Sequence, residues 1–149
     1  MGSPEKDISA ALEGGDGRAA QAERVCEAIR HAGGYRWVGL YDVGEEQIAV
    51  LAWSGPGPPE HPTFRATEGL CGAAVEQRST VVVGDVMADP RYLSTLGGTR
   101  SEIVVPIFAP DGVRVAGLID VESQHRDAFT DADRGLLERC ALQIAPLWG

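Results

Sequence analysis

The stretch from Ser101 to Ser123 constrains this chain more than any other. It carries two apolar runs, Glu102-Ile103-Val104-Val105-Pro106-Ile107-Phe108 and Val113-Arg114-Val115-Ala116-Gly117-Leu118-Ile119-Asp120-Val121-Glu122, separated by Ala109-Pro110-Asp111-Gly112. Pro, Asp and Gly in that order suit a type I turn closed by a glycine in the left-handed region, so the stretch predicts a β-hairpin with a three-residue loop. In that register Ala109 faces Val113, Val104 faces Leu118 and Glu102 faces Asp120. Strand side chains alternate, so Glu102, Asp120 and Glu122 share one face at the open end of the hairpin. Ile103, Val105, Ile107, Ile119 and Val121 take the other face. Three carboxylates this close repel one another and resist burial. Two readings stay open: a cationic or hydrogen-bonding group belongs among them, or the sheet frays there and water solvates them.

The rest of the chain supplies what such a hairpin needs. Residues 1–16, rich in Gly, Ser and charge, read as a flexible or briefly helical lead-in. A helix follows from about Gly17 to His31, with Ala20, Val25, Ala28 and Ile29 as its apolar stripe and Gly33-Gly34 as its end; Cys26 lies inside it as a core thiol. In the strand Tyr35–Val43, Val38 and Leu40 point one way and Trp37, Gly39 and Tyr41 the other. A second strand spans Gln47–Trp53, and the Gly/Pro-rich 54–59 stretch is a surface loop. After a short extended piece at Thr63–Ala66, Glu68-Gly69-Leu70-Cys71-Gly72 opens a helix reaching about Gln77, and Thr80–Val83 is another strand. Gly84 to Arg100 is the longest irregular segment and reads as a lid. Thr130 caps a last helix with Asp133 three residues on, and Leu136, Leu137, Cys140, Ala141 and Ile144 stripe it until Pro146. Few connections look like strand–helix–strand crossovers. The expectation is therefore an α+β fold with a central, mainly antiparallel sheet. The terminal helices cover its Ile103/Val105/Ile119 face, and the lid and pocket lie on the other.

At 149 residues, 44% of them apolar, the chain is expected to form a single domain over residues 17–149. Its net charge of −9 and lack of a Lys/Arg run argue against nucleic-acid and anionic-membrane partners. No apolar stretch approaches the ~20 residues of a membrane span, and the first residues lack a signal-like apolar core, so a cytoplasmic location is expected. Cys26, Cys71 and Cys140 are odd in number and lack ligand spacing, which fits neither a disulfide framework nor a zinc site.

From about Trp37 to Asp133 the chain resembles a GAF domain, and more narrowly the free methionine-R-sulfoxide reductases built on that fold. The matching blocks are Trp37-Val38-Gly39-Leu40-Tyr41, Glu68-Gly69-Leu70-Cys71-Gly72, Gly84-Asp85-Val86, Ser101-Glu102-Ile103-Val104-Val105-Pro106 and Gly117-Leu118-Ile119-Asp120-Val121-Glu122-Ser123. The resemblance implies a pocket for a free amino acid, with Glu102, Asp120 and Glu122 gripping its ammonium and Trp37 and Tyr41 walling it. A cation–π contribution from Trp37 would then be worth ~0.5–2 kcal/mol. Counted without gaps from Cys71, the family's catalytic cysteine position is Thr95 and an upstream cysteine position is His61. Cys71 itself corresponds to a resolving cysteine. A threonine hydroxyl is a poor nucleophile toward sulfur.

The leading expectation is thus a binding module for a small cationic or zwitterionic ligand such as methionine sulfoxide, without turnover. Tyr92, Thr95 and Arg100 stand where the family has other lid residues, and Tyr92 and Thr95 join the acids and aromatics as candidate ligand contacts. The alternative is an enzyme in which Cys71, at a helix N-terminus, works as the sole redox cysteine. A third class is a scaffold that forms a homodimer through its terminal helices. No cofactor is called for. Mg²⁺ or Ca²⁺ on the three acids is a minor variant, and no other metal site is expected.

Overall fold

The computed structural model describes residues 3–149, so Met1 and Gly2 of the lead-in lie outside the described residues. Ser3 caps a helix, α1 (Pro4–Leu12), its hydroxyl accepting from Lys6 N. The lead-in is therefore more ordered than its composition suggested. Ile8 and Ala11 are buried in the main core, and Gln143 of the last helix donates to the Glu5 carbonyl and Ser9 hydroxyl oxygens. Helix α2 (Arg18–Gly33) buries Ala22, Val25, Cys26 and Ile29, and Gly34, in the left-handed region at φ 65°, terminates it.

Six strands form one sheet in the order β3-β2-β1-β6-β5-β4, every neighbouring pair antiparallel. They are β1 (Trp37–Val43), β2 (Gln47–Ser54), β3 (Thr63–Arg65), β4 (Val81–Val83), β5 (Ser101–Phe108) and β6 (Val115–Ser123). Helix α3 (Gly69–Gln77) lies between β3 and β4, and α4 (Asp131–Ile144) closes the chain with a 3₁₀ turn, Ala145–Trp148. Thr130 and Asp133 form the reciprocal capping box at the start of α4, as their spacing predicts.

The sheet separates two cores. Val38, Leu40, Ile103, Val105, Ile107, Ile119 and Val121 meet α1, α2 and α4 on one side. Trp37, Tyr41, Val104 and Leu118 meet Leu70, Cys71 and Ala74 of α3 on the other, where Tyr92 and Leu96 of the lid also pack. Period-two alternation along β1, β5 and β6 produces this division.

The hairpin departs from its expected register. The Gly112 N–H donates to Ala109 O and Asp111 accepts from the amides of Val113 and Arg114, but Ala109 N donates to Arg114 O, which lengthens the loop by one residue. A further irregularity between Ile107 and Phe108 leaves Ala116 without a partner. Glu102 consequently faces Glu122, and Val104 faces Asp120. A slip of two residues restores the original faces, whereas a slip of one would have inverted them. The acids stay together.

Trp148 holds the chain end against the sheet. Its ring lies over Gly117, and its Nε1 donates to Asp42 Oδ1 at 2.8 Å. Arg18 grips the same carboxylate through both terminal nitrogens at 3.1 and 2.6 Å and stacks 5.3 Å from the ring centre.

Candidate functional site

The lid-side face of the sheet carries the chemistry. Antiparallel pairing sets Glu102 of β5 opposite Glu122 of β6, with Asp120 one alternation further along the same face. Strand β1 pairs with β6 so that Trp37 faces Glu122 and Gly39 faces Asp120. A Cβ on Gly39 would fall 2.4 Å from the Trp37 ring and 3.1 Å from that of Tyr41, so the missing side chain gives both rings their places. The Trp37 indole N–H is already taken by Gly57 O at 2.9 Å, leaving the ring itself to face the site. Tyr41 stands edge-on to Phe64, 5.8 Å between centroids.

Glu102, Asp120 and Glu122 are 2%, 0% and 0% exposed, so the sheet does not fray into water at this end. Burial without compensation is costly for a carboxylate. Thr99 Oγ1 lies 2.8 Å from Glu122 Oε1 and 3.0 Å from Leu96 O, and its single proton serves one of them at a time. Glu102 Oε1, both Asp120 oxygens and Glu122 Oε2 have no hydrogen-bond partner. No Arg, Lys or His among the described residues forms an ion pair with any of the three. Burial, and then the neighbouring carboxylates, push all three well above the ordinary carboxylate range, while the hydroxyls of Thr95 and Thr99 pull Glu122 the other way. Asp120 shares its face with both glutamates, and carboxyls buried together favour neutral forms or a compensating cation.

Cys71 sits in the first turn of α3, buried, and its position was expected to favour a thiolate. The opposite holds. Burial and the charges of Asp120, Glu102 and Glu122 raise its pKa well above the usual thiol value. A helix N-terminus contributes about 0.3–1 kcal/mol at an exposed site, too little to offset dehydration beside three carboxyls. Cys26 and Cys140 are buried in the helix-side core, and all three cysteines are free.

The segment 84–100 covers the acids. The Glu60 N–H donates to Thr95 O at 2.8 Å, Arg36 Nη1 donates to Gly97 O at 3.1 Å, and the Val86 N–H donates to Arg100 O at 2.8 Å. Thr95, Leu93, His61, Phe64, Cys71 and Glu102 border a cavity of about 10 Å³, room for roughly one water. Tyr92 is half-buried in this lid, and burial with the nearby Glu122 pushes its hydroxyl up to about 12. The structure therefore brings Trp37, Tyr41, Cys71, Tyr92, Thr95, Glu102, Asp120 and Glu122 to one side of the sheet. Thr99 and Phe64 were missed. Gly97-Gly98 reads as loop and gives no hint that the next hydroxyl is buried; Phe64 lies in a segment read only as extended chain. A wider surface groove, about 840 Å³, lies elsewhere, along α4 and the hairpin loop, and holds none of these residues.

A curled antiparallel sheet backed by helices, with α3 and an irregular cover enclosing a polar cluster on its other face, defines a class of α+β fold. The GAF domain family model matches residues 18–146, and the chain belongs to that family. It is 31% identical over 130 residues to GAF domain-containing protein A of Dictyostelium discoideum, covering 87% of this chain and 80% of that protein. It is 34% identical over 112 residues to the free methionine-R-sulfoxide reductase of Saccharomyces cerevisiae, covering 72% of this chain and 60% of that enzyme. The type II free methionine-R-sulfoxide reductase of Thermoplasma acidophilum superposes with a TM-score of 0.80 at 32% identity, covering 87% of this chain and 91% of that one. No helix among the described residues is long and apolar enough to cross a membrane.

Proposed function

We propose that this GAF domain is a sensor-like binding module whose acidic, aromatic-walled site takes a small free amino-acid-like ligand, methionine sulfoxide among the candidates, without reducing it. The observation that carries this reading is the set of four orphaned carboxyl oxygens buried on one face beside Trp37, Gly39 and Tyr41. A protonated amine supplies both the charge and the donors they lack. The absence of turnover is argued from Thr95, at the position where the resemblance calls for a catalytic cysteine, and from Cys71, whose burial beside carboxyls opposes the thiolate. The lid must part from α3 for a ligand of this size to enter. A cytoplasmic location and pairing of two copies through the terminal helices belong to the same reading.

A thermal-shift screen with a coupled assay tests it. Free methionine sulfoxide at a hundred times its dissociation constant stabilises the fold by about 2.7 kcal/mol, which raises Tm by roughly 5–10 °C. Thiol-dependent NADPH consumption stays at background in the parent and in Cys71→Ser. Turnover that vanishes in Cys71→Ser establishes the thiol enzyme instead, and no shift with any free amino acid or sulfoxide defeats the binding reading.

A further inference from the structure

We infer that Cys71, Glu102 and Asp120 form a site for a thiophilic divalent cation of the Zn²⁺ type. The Cys71 Sγ and one carboxylate oxygen from each acid lie within 4.8 Å of one another. Ligand atoms around a tetrahedral zinc stand about 3.5 Å apart, so a contraction on the order of 1 Å, within the reach of side-chain rotation, brings all three onto one ion. A second observation is independent of this proximity. Glu102 Oε1 and both Asp120 oxygens are fully buried and have no donor, and they belong to the same residues that approach the sulfur.

The donor set chooses the ion. Mg²⁺ and Ca²⁺ take oxygen ligands, so the thiol has no place in their coordination. Zn²⁺, Co²⁺ and Cd²⁺ accept sulfur and carboxylate together. Binding releases the thiol proton to solvent and forms a metal–sulfur bond, with no change in oxidation state. The two positive charges offset those of the thiolate and the acids. Three protein ligands leave the fourth tetrahedral position to water. The cavity bordered by His61 and Thr95 reaches both Cys71 and Glu102. Cysteine spacing carries no trace of this site because its other ligands come from the hairpin, about thirty and fifty residues downstream of Cys71.

The inference does not rest on the amino-acid reading, although the two ligands would compete for the same oxygens. Metal-free full-length protein is titrated with Co²⁺ alone. A thiolate-to-cobalt charge-transfer band is expected in the near ultraviolet at one ion per chain, with the intense visible bands of tetrahedral Co²⁺. Zn²⁺ displaces them. The charge-transfer band disappears in Cys71→Ser, persists in Cys26→Ser, and requires at least tenfold more Co²⁺ in Glu102→Gln, a variant that keeps the thiol if Cys71→Ser folds poorly. Absence of the band in the parent, its survival in Cys71→Ser, or its indifference to Glu102→Gln overturns the inference. Calorimetry with free amino acids in the presence of a chelator reports separately on the proposed function.

Discussion

Replacing Asp120 with asparagine is expected to stabilise the ligand-free protein at pH 7–8 while removing its affinity for ligand. Asp120 shares its face with Glu102 and Glu122, fully buried, and neither of its oxygens has a donor. Its pKa is raised first by burial and then by the Glu102 charge. Each unit by which burial raises a carboxyl's folded pKa costs about 1.4 kcal/mol once the pH lies above the folded value. Asparagine avoids that cost, and its Nδ2 supplies donors on the face that carries the orphaned glutamate oxygens. With some loss to imperfect fit, the gain is about 1–3 kcal/mol, or 3–10 °C in Tm.

The sign of the pH dependence follows from the same shift. Folded carboxyls with raised pKa values hold more protons than the unfolded chain. Their contribution to stability is complete below the unfolded carboxylate range, near pH 4, and is lost as pH rises through the folded values. Because the three titrate as a coupled group, the loss spreads over a broad window above pH 4. Asp120→Asn therefore flattens the decline of stability with rising pH, as measured by denaturant melts at successive pH values. A variant less stable than the parent at pH 8 would show that Asp120 is compensated in a way these contacts do not contain.

Gly72→Ala is expected to cost about 2–4 kcal/mol, lowering Tm by roughly 5–15 °C. A Cβ at this position meets the Thr67 carbonyl carbon at 2.6 Å, the Thr67 oxygen at 2.9 Å and the Ala66 oxygen at 3.0 Å. These are backbone atoms, held by the pairing of Glu68 N with Arg65 O and of Ala66 N with Glu46 O, so no rotamer change relieves the clash. Helix α3 must move off the sheet, taking the adjacent Cys71 away from Glu102 and Asp120. Gly57, with nothing within 4 Å of its added Cβ, is the control, and Gly57→Ala stays within about 0.5 kcal/mol of the parent. Equal melting of the two variants would mean that α3 is not seated against the 66–67 backbone.

The strands and their faces were largely legible because alternation along Trp37–Val43 and Ser101–Ser123 is strict, and because the hairpin slipped by an even number of residues; the order of strands across the sheet was not read from the sequence. The cap at Thr130 was legible from two residues. Helix α1 was harder to read, since Ile8, Ala11 and Leu12 make a short stripe in a polar segment whose helicity depends on contact with α2 and α4. The burial of the three acids was beyond local reasoning: their mutual repulsion pointed equally to solvent or to a ligand, and it is the covering lid that keeps solvent away. For the same reason the expected acidity of Cys71 failed. A helix terminus is visible in the sequence, whereas carboxyls brought to it by β5 and β6 are not.

The site is held to recognise a positively charged amine, and calorimetry comparing methionine sulfoxide with its N-acetyl derivative tests that most directly. The free amino acid should bind with proton release and an affinity that rises with pH, and the acetylated form should bind at least 100-fold more weakly, about 2.7 kcal/mol. Equal affinity for the two, or affinity for the free form unchanged in Asp120→Asn, would contradict the account.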